Sequence, residues 1–122
     1  MELIALNEDL INMLSDKLTI LDSQLSKIDI FEDENEELII DIYLKLCYSK
    51  PKGIKVKIRF IGIEEYSFFY TKDRYFYFIQ RLKLFKKEHH YYLSMDPVDE
   101  KEEISVEDQD FILCNSIEGY FI

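Results

Sequence analysis

Strict alternation from Ile54 to Phe60 is the pattern that most restricts how this chain can fold. Ile54, Val56, Ile58 and Phe60 are apolar, and Lys55, Lys57 and Arg59 between them are basic. Strand side chains point to opposite faces with period two, so the stretch predicts a sheet with one apolar face and one basic face. The same kind of segment returns at Phe76 to Leu84 and at His90 to Met95. These stretches specify a sheet, and they contain no motif for a reaction.

The remaining elements can be placed around that sheet. Leu3, Leu6, Leu10, Met13 and Leu14 recur at spacings of three and four, which predicts a short helix over 8–16 packed on the sheet. Asn7 is the expected N-cap, with Glu8 and Asp9 at the positive end of the helix dipole. Strands are expected from Gln24 to Ile30 and from Leu38 to Tyr48, joined by the polar loop 31–37. Setting Ile30 opposite Leu38 pairs Ile28 with Ile40 and Lys27 with Asp41, aligning apolar faces and opposite charges. Residues 49–53 form a turn, by their Pro and Gly. The next strand ends near Gly62, followed by a bend and a short strand reaching Tyr70.

A long strand is expected from Tyr75 to Phe85. Its hairpin partner is His90 to Met95 across a loop at 86–89, with Phe85 opposite His90. Residues 96–110 are polar and acidic and belong on the surface. Phe111 to Ile117 is apolar on both faces, as a central strand is. The fold class is therefore mainly β, an antiparallel sheet of about six to eight strands with a short N-terminal helix packed on it. A chain of 122 residues is expected to form one domain.

Charge is unevenly distributed. Residues 1–44 hold 12 acids and 2 bases, residues 45–87 hold 3 acids and 12 bases, and residues 88–122 hold 10 acids and 1 base. The net charge is −10. Such an acidic chain is repelled by nucleic acid in general, although its basic middle permits a local site. No leader-like segment opens the chain, and no stretch reaches the roughly 20 apolar residues of a membrane span. A cytoplasmic protein with no membrane partner is the expectation. Cys47 and Cys114 lie in apolar strand-like segments and are expected to be buried free thiols.

Chemistry-bearing patterns are weak. His89 and His90 are adjacent, so they diverge, unlike the helical i, i+4 pair that ligates zinc. Glu88, Asp96 and Asp99 nearby complete no metal motif. Glu36-Glu37, Glu64-Glu65 and Glu102-Glu103 are neighbours on polar segments, whereas acid–base catalysis needs two carboxylates held apart in unlike environments. Three glycines leave no room for a phosphate-cradling loop. No cofactor, metal or catalytic residue is expected. A basic sheet face formed by Lys55, Lys57, Arg59, Arg81 and Lys83, with Lys86 and Lys87, suits a nucleic acid or small ligand, and Tyr43, Tyr75 and Tyr77 suit base stacking.

Four stretches carry a family resemblance: Leu21-Asp22-Ser23, Phe60 to Tyr66, Leu93 to Pro97, and Asp110 through Ser116 to Tyr120. With them the chain resembles small uncharacterised bacterial β-rich proteins, some similar to immunity proteins of polymorphic-toxin systems. The resemblance implies a non-enzymatic protein binder that blocks a toxin. A basic toxin domain would be met by an acidic surface. Two acidic runs are candidates, Glu32-Asp33-Glu34-Glu36-Glu37 and Asp96, Asp99, Glu100, Glu102 and Glu103. The second is the expected surface, because it is longer and carries Ile104 and Val106, and apolar anchors supply binding energy that bare charges do not.

Overall fold

The structure, a computed structural model, describes residues 1–73 and 78–122. In chain order it comprises β1 (Glu2–Leu6), α1 (Asn7–Leu14), β2 (Gln24–Glu32), β3 (Leu38–Lys45), β4 (Lys55–Ser67), β5 (Lys83–Lys87), β6 (His90–Asp96) and β7 (Gln109–Phe121). All seven strands join one antiparallel sheet ordered β2-β3-β4-β7-β6-β5, with β1 also on β7. The mainly β fold with one short helix on the sheet is the one the alternation predicts.

β7 is the organising strand. β4 runs along one side of it from Phe111 to Phe121. On the other side β6 pairs with its first half and β1 with its second. In the run Phe111-Ile112-Leu113-Cys114, Ile112 and Cys114 are buried on the inner face while Phe111 and Leu113 are half-buried on the outer, so the outer face of this central strand also takes apolar residues.

The inner face holds the core. Ile40, Ile42, Leu44, Val56, Ile58, Phe60, Leu93, Ile112, Cys114 and Ile117 are buried there, covered by Leu10 and Leu14 of α1 and by Leu18, Ile20 and Ile79 from the connections. Each such aliphatic side chain contributes about 1.5–3 kcal/mol by leaving water. Gly119 of β7 seats the helix: a Cβ at that position would collide with the Leu10 side chain. Gly62 has φ +68, and its Cβ would lie 2.8 Å from the Asn115 side chain. Around this close approach β4 and β7 both change the residue parity that faces inward, from Phe60 to Ile63 and from Ile117 to Cys114.

Several expectations are corrected. Leu3 and Leu6 belong to β1, recruited by pairing with β7, and both are exposed. Asn7 does not cap α1. It has φ 50, and its Oδ1 accepts a hydrogen bond from Ile117 N–H at 2.9 Å, tying the helix start to β7. The strand after Ile54 does not stop at Gly62 but continues to Ser67. β3 ends at Lys45, so Cys47 lies in the following turn and is exposed, whereas Cys114 is buried as expected.

Both expected hairpin registers are off by two residues. Ile30 faces Ile40 and Asp29 faces Asp41, because the tight turn at Asp33–Glu37 lets β2 run on to Glu32. Lys87 faces His90, because a two-residue connection, Glu88-His89 with Glu88 at φ 58, replaces the longer loop. A slip of two keeps every side chain on its face, so the apolar face was right from Ile28 onward while the charge pairing was wrong. Before Ile28, a bulge between Leu25 and Lys27 buries Leu25 rather than the expected Ser26. The expected strand from Tyr75 falls partly on 74–77, outside the described residues. Phe78 makes an isolated bridge to Gln24, and β5 begins only at Lys83.

Candidate functional site

The segment between β6 and β7 is the most constrained surface feature of the molecule. Asp108 is buried, and its carboxylate accepts five hydrogen bonds from four donors. Lys83 Nζ lies 3.0 Å from both oxygens, Tyr92 Oη donates at 2.7 Å, Val98 N–H at 2.9 Å and Ser105 N–H at 3.1 Å. Lys83 also donates to the Glu103 carbonyl at 2.7 Å and pairs with Asp99 at 3.2 Å. The bonds to Val98 and Ser105 close residues 97–108 into a compact Ω-type loop whose ends meet at one side chain.

The register explains why these groups meet. Lys83 is opposite Ser94, Phe85 is opposite Tyr92, and Ser94 is opposite Phe111. All of these therefore share the outer face, where Tyr92 lies between the rings of Phe85 and Phe111 at 5.4 and 5.9 Å. Phe85 and Tyr92 are buried there, and the Lys83–Asp108 pair is withdrawn from water. Burial alone would raise the Asp108 carboxyl, but the hydrogen bonds from Val98, Tyr92, Lys83 and Ser105 outweigh it and hold the group below its ordinary value. Burial pulls the Lys83 ammonium down, and its bonds to Asp108 and Asp99 overcome that and raise it. The Tyr92 hydroxyl is pushed up by burial and by Asp108.

The expected partner residues fall on this loop or at its edge. Glu100, Glu102, Glu103, Ile104 and Val106 are exposed, and Val106 protrudes completely. Asp99 is half-exposed and bonded to Lys83 and to Lys101 N–H. Asp96 ends β6 and is half-buried. Sequence reading found the acidic run and placed Lys83 on a basic ligand face, but it missed that Lys83, Tyr92 and Asp108 together shape the loop. Nothing in local sequence distinguishes Asp108 from its acidic neighbours.

The β2–β3–β4 part of the outer face carries a second set of charges. Cross-strand pairing sets Asp29, Asp41, Arg59 and Glu118 in one row and Lys27, Tyr43, Lys57 and Tyr120 in the next. Arg59 grips Asp41 through two bonds of 2.9 Å, which raises the guanidinium above its usual value. Lys57 lies 4.0 Å from Asp41 and 5.1 Å from the centre of the Tyr120 ring. Lys27 sits 5.1 Å over Tyr43. Lys57 and Lys83 are buried, and Arg81 is 4.0 Å from Glu100. Of the five expected basic-face residues, only Lys55 is exposed and without a side-chain partner among the described residues. Tyr43 is on this face, and Tyr75 and Tyr77 lie outside the described residues.

A recess of about 410 Å³ is lined by Leu6, Asn7, Glu8, Asp9 and Tyr91, with Glu8 already held by Lys86 at 2.8 Å. Among the described residues no three His, Cys, Asp or Glu side chains converge to hold a metal. His90 instead lies 3.7 Å from Glu64. Cys114 is pushed up to about 12 by burial and is not a nucleophile at neutral pH. No helix among the described residues is long and apolar enough to cross a membrane. No family model, curated protein or solved structure matches the chain.

Proposed function

We propose that the protein is a non-enzymatic protein-binding domain, an immunity-type inhibitor whose acidic loop occludes a basic site on a toxin. One observation carries the reading. The 97–108 loop is fastened from below by Asp108 and Lys83 while Glu100, Glu102, Glu103, Ile104 and Val106 face solvent. A loop ordered before binding avoids part of the entropy cost of association. Its acids supply attraction over a Debye length of about 8 Å, and Val106 supplies an apolar anchor. The basic sheet residues are weaker support for nucleic-acid binding, since Lys57, Arg59, Arg81 and Lys83 already hold carboxylates.

The test is kinetic. A partner isolated from the native host is titrated against the wild type and a triple charge reversal at Glu100, Glu102 and Glu103. Association slows several-fold at low salt and much less at high salt, as expected of electrostatic steering. A partner whose association is unchanged under both conditions does not use this loop.

A further inference from the structure

The turn between β3 and β4 lies at the opposite end of β7 from the acidic loop. Val56 pairs with Phe121, and Ile122 N–H bonds the Lys55 carbonyl, whereas the 97–108 loop enters β7 at Gln109. About 40 Å of strand separates the two ends. Residues 45–55 contain four lysines, Lys45, Lys50, Lys52 and Lys55, and no carboxylate. All four are exposed, and among the described residues none has a side-chain partner. Lys45 and Lys55 are directly opposite each other, an arrangement that costs stability because like charges repel across a ladder. Tyr48 projects from the same turn, 62% exposed, with no partner for its ring or hydroxyl among the described residues.

The turn is well formed. Leu46 N–H bonds the Ile54 carbonyl at 2.8 Å, Gly53 N–H bonds the Leu46 carbonyl at 3.0 Å, and the buried Ser49 hydroxyl donates to the Pro51 carbonyl at 2.7 Å. Gly53 has φ +79, which a side chain at that position would resist. Along their strands, Asp41 and Glu118 stand about 13 Å from Lys45 and Lys55, beyond the Debye length of about 8 Å. Glu2 on β1 is two strands away from Val56. At physiological salt the tip therefore acts as a local cationic surface despite the net charge of the chain.

From this geometry we infer that the 45–55 tip binds single-stranded nucleic acid, with the four lysines on phosphates and Tyr48 stacked on a base. This inference does not rest on the toxin-inhibitor reading. Lysine presents a hydrated point charge without the bidentate fork of arginine, so binding is independent of sequence. An exposed aromatic ring favours a nucleic acid over an acidic peptide, because every unpaired base offers a face to stack on.

The experiment is fluorescence anisotropy of a labelled oligothymidylate with the full chain, at salt from about 50 to about 200 mM. Four phosphate contacts give a log–log salt slope near −3, so affinity falls about 50-fold over that range. The K45Q/K50Q/K52Q/K55Q variant loses binding and the slope, with a thermal melt confirming that it folds. Tyr48→Ala keeps the charge and weakens binding about fivefold or more. Absence of wild-type binding at low salt overturns the inference. Binding that polyglutamate matches in affinity and that Tyr48→Ala leaves unchanged also overturns it, in favour of an acidic protein partner.

Discussion

On the outer face of one sheet, two cation–carboxylate clusters are handled differently. At the β5–β6–β7 end, Lys83 and Asp108 are sealed beneath the 97–108 loop, with side chains 2% and 0% exposed. At the β2–β3–β4 end, Asp41 is also buried, but its partner Arg59 remains 32% exposed. The first pair carries a full desolvation cost, which the Tyr92 hydroxyl and two backbone N–H groups offset. The second keeps Arg59 partly exposed, and its two bonds hold Asp41, with the buried Lys57 ammonium 4.0 Å away. A buried charge that organises a loop is therefore distinct from a charge that decorates a strand, although both appear in the sequence as isolated acidic residues.

Replacing Asp108 is the largest way to break this contrast. Asp108→Asn leaves the buried Lys83 with the half-exposed Asp99 as its one charged partner among the described residues and is expected to cost about 3–5 kcal/mol in urea unfolding. It should also expose the Lys101 peptide bond to trypsin. A loss comparable with that of an exposed residue would show that the loop stands without its clasp. The same variant flattens the pH dependence. A carboxyl held below its ordinary value stabilises the fold above about pH 4 and loses that contribution as pH falls through its folded value. Lys83 and Tyr92, both raised, stabilise below about pH 10 and lose that contribution as pH rises through their folded values. Wild type should weaken at both extremes, and Asp108→Asn should lose much of both limbs.

Arg59→Met sharpens the contrast at intermediate size. It leaves Asp41 facing only Lys57 at 4.0 Å, and a cost of about 1–3 kcal/mol is expected for an under-bonded carboxylate. The loop, far along β7, should keep its resistance to trypsin. Lys55→Gln is the smallest change. It removes the repulsion opposite Lys45, so stability should rise or stay within about 0.5 kcal/mol, read by thermal melting.

Most of the architecture was legible because period-two alternation survives errors of pairing. Ile40, Ile42, Val56, Ile58 and Phe60 could be assigned inward without knowing the register, and a two-residue slip leaves that assignment intact. The turns were less legible. Glu36 and Glu88 adopt positive φ, where Gly or Asn would have announced a tight turn. β1 was hidden because Leu3 and Leu6 also fit a helical spacing, and only pairing with β7 decides between the two. The candidate loop was legible as an acidic run, with Ile104 and Val106 marked as its apolar members. Its clasp was not, since Lys83, Tyr92 and Asp108 come from three separate segments and converge only after β5, β6 and β7 pair.

Amide hydrogen exchange at Val98 and Ser105 tests the central claim most directly, because both N–H groups donate to the buried Asp108 carboxylate. In the wild type these two amides should exchange far more slowly than those of the exposed Glu102 and Glu103, and Asp108→Asn should release them. Exchange of Val98 and Ser105 in the wild type as fast as that of Glu102 would mean that the acidic surface is not preformed.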